Sequence, residues 1–164
     1  MAHSILKYGS FIRGNSDKYS DKDILVVADT YNELIELKTN FTNLGWSVST
    51  YTYNKLQYLS ENGFLFVKHL IDEGEIIDDK LSKLKNILKK FQEKLDYQLE
   101  INKASSFLNF VDEIPNNTIS YSWLCDNLYI TFRNYLIYKS AFKNEFNFSY
   151  IKHINFLLYL NKRL

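Results

Sequence analysis

The apolar positions change period along this chain, and each change marks an element. Ile5–Tyr8 is a short strand candidate. Asp23–Ala28 follows as an almost unbroken apolar run, Ile24-Leu25-Val26-Val27-Ala28, of the kind a strand covered on both faces requires. Thr30 with Glu33 three residues on makes a capping box, opening a helix to about Asn43 with Leu34, Leu37 and Phe41 as its stripe. Leu44-Gly45 closes it. Trp46–Tyr53 then alternates in period two, rich in β-branched and aromatic residues, and predicts a third strand. Asn54–Leu59 and Gly63–Ile71 read as helices, and Glu75–Asp78 as a short edge strand.

From Asp79 the character changes. Leu81, Leu84, Leu88, Phe91, Leu95 and Leu99 recur three and four apart and predict one long helix to about Lys103. A short helix over 104–112 stops before Pro115. A longer one, from Thr118 to about Phe142, carries Tyr121, Leu124, Leu128, Phe132, Tyr135 and Tyr138 on one face, and a last runs from about Ser149 to Asn161. The expected class is α+β: a small mixed sheet with flanking helices over residues 1–78, followed by a helical bundle over 79–164.

At 164 residues the chain can bury one good core, or a small α/β core with a helical appendage. Hydrophobic residues make up 46 % and charged residues 24 %, which excludes a disordered chain. A net charge of +1 lacks the basic footprint of a nucleic-acid binder, so nucleic acid is an unexpected partner. Cys125 is the single cysteine, so no internal disulfide forms, which favours a reducing compartment. No run of about 18 apolar residues occurs, and Met1-Ala2-His3-Ser4 is not a basic-then-apolar leader. The expectation is a cytoplasmic protein without a membrane partner. His3, His69 and His153 share no metal-ligand spacing with one another or with Cys125, which argues against zinc.

The candidate chemistry lies between the first two strands, in GSFIRGNSDKYSDKD over residues 9–23. In a strand, i and i+2 share a face, so Asp21 and Asp23 would present two carboxylates together. Mg²⁺ is held in that way, by one or two carboxylates plus substrate phosphates. Gly9-Ser10 ends the first strand, where a glycine lets the backbone approach a phosphate and the following amides and the Ser10 hydroxyl can donate to it. A Gly-Ser turn leading through a solvated loop into a strand is the plain alternative. Four fixed residues at this spacing arise by chance in about one chain in several hundred at ordinary amino-acid frequencies.

Gly-Ser, ten residues, Asp-x-Asp resembles the signature of the nucleotidyltransferase superfamily, the DNA polymerase beta-like fold, and most closely its minimal nucleotidyltransferase branch. Arg13-Gly14, four residues after the first glycine, and Ser20, before the first aspartate, match as well. FLFVKHLIDEGEIID, residues 64–78, is similar to a helix-plus-strand element in some bacterial members. The resemblance implies transfer of a nucleoside monophosphate from an NTP, ATP foremost, to a hydroxyl of a protein or small molecule. It assigns Asp21 and Asp23 to Mg²⁺ (or Mn²⁺) and catalysis, and Gly9, Ser10, Arg13 and Ser20 to the phosphates. Proteins of this branch often act as antitoxins on a toxin partner; the aromatic-rich helices also suggest a homodimer or another protein complex.

The chain departs from the family in two ways. It begins almost at the first strand, without the helix that commonly precedes it, and the strand Trp46–Tyr53 lacks the family's third carboxylate. That strand's polar residues are Ser47, Ser49, Thr50 and Thr52. The alternative is therefore a catalytically impaired nucleotide-binding or interaction module. No Arg-x4–6-His pair of a HEPN-type ribonuclease is present, and an aminoglycoside-type enzyme would have an acidic acceptor cluster that the helical region lacks.

Overall fold

A computed structural model describes residues 2–12, 22–115, 117–146 and 148. Arg13, Gly14, Ser20, Asp21 and the helix expected over 149–161 lie outside the described residues. The described chain is α+β: a four-stranded mixed sheet with flanking helices, then a further helical region. It gathers into two compact units, Met1–Lys94 and Leu95–Leu164.

In the first unit, β1 (His3–Tyr8), β2 (Asp23–Ala28), β3 (Ser47–Thr52) and β4 (Glu75–Asp78) stand in the order β3-β2-β1-β4. β1 pairs antiparallel with β2 and β4, while β2 pairs parallel with β3. The parallel pair needs a crossover, and α1 (Tyr31–Asn43) provides it, with the Thr30 side chain accepting from the Glu33 amide at its start.

From Ile24 to Ala28 β2 is apolar because both its faces are covered. Val26 and Ala28 meet Leu34, Leu37 and Phe41 of α1, together with Val48. Leu25 and Val27 join Leu6 and Tyr8 beneath α2 (Tyr53–Glu61), α3 (Leu65–Glu73) and α4 (Lys83–Lys89), which contribute Leu56, Leu59, Val67, Leu70, Leu84 and Ile87. Each such aliphatic side chain contributes about 1.5–3 kcal/mol of transfer free energy.

A partly buried polar knot ties this face to α4. Asp79 accepts from the Leu84 amide (3.2 Å) and the Lys85 amide (2.9 Å), capping the helix, and from the Ser4 hydroxyl at 2.7 Å. Because Ser4 donates there, the Tyr53 hydroxyl 2.7 Å away donates to Ser4. Burial pushes the Tyr53 phenol above its ordinary value of 10.0; the Ser4 bond opposes this, and the Asp79 charge reinforces it.

The long helix expected over 79–103 is two helices, α4 and α5 (Gln98–Ser106). The apolar spacing does continue through the break, but tertiary bonds override it. Ser60 donates its hydroxyl to the Ile87 carbonyl at 2.7 Å, and the Gln92 amide donates back to the Ser60 carbonyl at 3.1 Å. Those bonds draw residues 90–94 across the α2–α3 turn, out of helical geometry. The helix expected at 104–112 is likewise divided between the end of α5 and a 3-10 turn, Phe107–Glu113.

In the second unit, α5 packs against α6 (Thr118–Ala141) through Ile101 and Tyr97, the latter ring 6.0 Å from that of Tyr138. Burial pushes the Tyr138 phenol upward, and Glu100 adds to the shift. No helix among the described residues is long and apolar enough to cross a membrane.

Candidate functional site

Asp23 opens β2 at one end of the sheet. It lies opposite Tyr8 on β1 and opposite Ser47 on β3. Side chains alternate along a strand, so Asp23 shares the face of Leu25 and Val27, the same face that Tyr8 occupies.

Gly9 follows Tyr8 at once, with φ +84°, and the Ile12 amide closes a turn onto its carbonyl at 3.2 Å. The backbone of Gly9 lies hard against the Asp23 carboxylate. A Cβ built on it would stand 2.7 Å from Asp23 Oδ2. Two independent constraints therefore require glycine here, the left-handed backbone and the contact. The structure brings Gly9, Ser10 and Asp23 to one sheet end; Arg13, Ser20 and Asp21 are outside the described residues.

The far side of the turn is braced by aromatic rings. Phe11 meets Trp46 edge to face at 6.0 Å, Lys7 Nζ sits 5.3 Å over the Trp46 ring, and Lys22 Nζ lies 5.6 Å over Phe11. Trp46 directly precedes β3, so this packing couples the start of β3 to the turn.

Four side chains that sequence reasoning did not assign to the site are linked through Tyr8, which lies directly opposite Asp23 on the same face. The Tyr8 hydroxyl spans β2 to reach Ser49 Oγ on β3 at 2.9 Å. The Tyr8 ring also meets His69 of α3 edge to face at 5.5 Å, and His69 Nε2 pairs with Glu73 at 2.8 Å. Lys68, the neighbour of His69, pairs instead with Asp72 at 2.6 Å. The sequence did hold a signal: Tyr8 two positions from Leu6 on the core face, and the i,i+4 spacing of His69 and Glu73. What it could not supply was the register that sets Tyr8 beside Asp23.

β3 carries no carboxylate, and its residues on the Asp23 face are Ser47, Ser49 and Tyr51. Among the described residues, no group of three His, Cys, Asp or Glu could hold a metal ion. The carboxylate of Asp23 is the hard oxygen donor that Mg²⁺ takes, and Mg²⁺ bound through one or two carboxylates plus substrate phosphates needs no protein cage. The described donor thus fits such an ion.

No protein-family model matches the chain, and none of the curated proteins does. One solved structure, a crystal structure of a toxin-antitoxin with AMP-PNP, is similar at 16 % identity over 66 % of this chain and 84 % of that one, with a TM-score of 0.36. A likeness at that TM-score says nothing about what this chain binds.

Proposed function

We propose that the first unit binds a nucleoside triphosphate, ATP foremost, with Mg²⁺ (or Mn²⁺), and transfers the nucleoside monophosphate to a hydroxyl of a protein or small molecule. The observation that carries this is the contact between Gly9 and Asp23: a glycine turn able to take phosphate oxygens, fixed against a carboxylate able to take their counter-ion. Asp23 and Asp21 would hold the metal. The Gly9–Ile12 turn with the Ser10 hydroxyl would hold the terminal phosphates, and Arg13 and Ser20 belong to the same loop by the motif. When bound, the metal supplies countercharge to the transferring and leaving phosphates. In the transfer an acceptor oxygen bonds to the α-phosphorus as the bond to pyrophosphate breaks. The motif's likeness to the minimal nucleotidyltransferase branch makes a cytoplasmic antitoxin modifying its toxin the fitting setting.

A second reading has a specific observation in its favour. On the face of Asp23, β3 offers only hydroxyl groups, one of them bonded to Tyr8. Hydroxyls cannot take a proton from an acceptor near neutral pH, so this arrangement also suits a module that holds a nucleotide without passing it on.

Labelled ATP with Mg²⁺ and a candidate partner protein tests the first reading, and equilibrium binding of ATP·Mg²⁺ separates the two. Transfer that is lost in Asp21→Asn/Asp23→Asn supports the enzyme. Saturable binding without transfer to any partner supports the module. Binding unchanged in the double variant would dispose of both.

A further inference from the structure

α6 is 24 residues long, carries only Asp126, Arg133 and Lys139 as charged residues, and buries only Leu136, Ile137, Ser140 and Ala141, all in its last six positions. A helix apolar on every side ordinarily lies within a core. The first four turns of α6 do not: Ile119 is 84 % exposed, and Tyr121, Trp123, Tyr129, Ile130 and Phe132 are each about half exposed.

Tyr121, Cys125, Leu128, Phe132 and Tyr135 recur at spacings of 4, 3, 4 and 3. This is the seam of a helix that packs along a second helix. Beside the seam runs an open groove of about 570 Å³, lined by Ala104, Leu108, Leu128, Tyr129, Phe132 and Tyr135, and none of its described lining residues is charged.

The seam reads nearly the same in both directions about Leu128. Two copies laid antiparallel on a two-fold axis there would set Tyr121 across from Tyr135, Leu128 across from itself, and the small Cys125 across from the large Phe132. Small against large is what interdigitated packing requires, and the match appears twice by symmetry, as in an isologous interface. The absence of charge in the groove gives an acidic or basic partner nothing to pair with. Tyr121, Phe132, Tyr129 and Leu108 are exposed and would each cover on the order of 100 Å², and the half-buried Leu128 and Tyr135 about half as much. The total is about 1,000 Å² over both copies, the area that marks a specific interface.

We propose that the α6 seam is a homodimer interface in which two copies of this chain pair antiparallel about Leu128.

The test uses the full chain. Sedimentation should show a dimer, and Phe132→Glu should raise its dissociation constant by about 30-fold or more, as loss of a central aromatic anchor does. Phe132→Cys supplies a readout that does not depend on tolerating a buried charge. Under mild oxidation the introduced thiol should bond to Cys125 of the second copy and give a covalent dimer on non-reducing gels, and Phe132→Cys/Cys125→Ser should not. A monomer at every concentration overturns the proposal. So does a dimer that Phe132→Glu leaves intact, cross-linking that persists without Cys125, or a seam that captures a different protein while the chain alone stays monomeric.

Discussion

Replacing Gly9 by alanine tests the geometry of the site directly, because the molecule contains its own control. Gly9 and Gly45 have nearly the same backbone, φ +84° and +80°, but a Cβ at Gly45 meets nothing within 4 Å. Gly45→Ala therefore reports left-handed strain alone, about 1–2 kcal/mol. Gly9→Ala carries that strain and also drives the new methyl against Asp23 Oδ2 at 2.7 Å. The carboxylate can turn aside at about 0.5–1.5 kcal/mol for an off-rotamer position, so the sum is about 1.5–3.5 kcal/mol. Urea unfolding of both variants, with m unchanged, measures the difference. Adding Asp23→Ala to Gly9→Ala should restore the cost of Gly45→Ala, since the clash has lost its partner. ATP·Mg²⁺ affinity should fall far more in Gly9→Ala than in Gly45→Ala, because only the former moves the carboxylate. Equal unfolding costs for the two glycines, together with equal affinities, would refute the contact between turn and carboxylate.

Further outcomes follow from the same coordinates. Asp79→Ala removes the α4 cap and strands the Ser4 hydroxyl, at about 2–4 kcal/mol in urea unfolding. The Tyr53 phenol is raised in the folded state, so folding retains its full contribution below the ordinary value of 10.0 and loses it as pH rises through the folded value. Absorbance titration at 295 nm should show Tyr53→Phe lacking a phenol that titrates above the ordinary value of 10.0 and unfolding less steeply above pH 10. Ser47→Asp sets a second carboxylate opposite Asp23 on the same face. It should lower stability at neutral pH by about 1 kcal/mol without divalent ions, and Mg²⁺ should restore it more than in the parent chain; unfolding curves with and without Mg²⁺ that coincide would count against that placement.

The sheet could be read from sequence because its strands are opposites in pattern. β2, covered on both faces, is apolar at every position from Ile24 to Ala28, while β3, an edge strand, is rich in Ser and Thr and nowhere fully buried from Ser47 to Thr52. α1 was marked by a cap that the structure contains, Thr30 to the Glu33 amide. The region 79–106 failed for an equally physical reason. Leu84, Leu88 and Phe91 keep a helical period across a place where Ser60 claims the backbone, and nothing local to residues 90–97 signals a bond to a serine thirty positions earlier. At the site, the motif pointed to Gly9, Ser10 and Asp23, and the structure sets Gly9 against Asp23 with Ser10 next in the chain. Tyr8, Ser49, His69 and Glu73 stayed hidden because what joins them is strand register and the placing of α3, and neither is carried by residue spacing.

The hydroxyls of β3 bear on which reaction this sheet end can support. In the antiparallel pair Tyr8 lies directly opposite Asp23, and its ring is long enough to cross β2 and bond Ser49. A carboxylate in place of Ser49 would meet that phenol and the Asp23 charge together, at the edge of a core formed by Leu25, Leu6 and Tyr51. Its charge would be partly desolvated there, and its pKa would rise unless a cation stood between the two acids. Serine avoids that cost and keeps the Tyr8 hydroxyl satisfied, so the face is stable without any metal. The same choice removes the group that could accept a proton from an attacking hydroxyl. A fold that gains metal-free stability in this way offers no strong base on the β3 face beside Asp23, and on the proposed reading that is where acceleration at the acceptor would be given up. Any transfer it performs must therefore depend on an acceptor that is already reactive, or on a base brought by the partner that carries it.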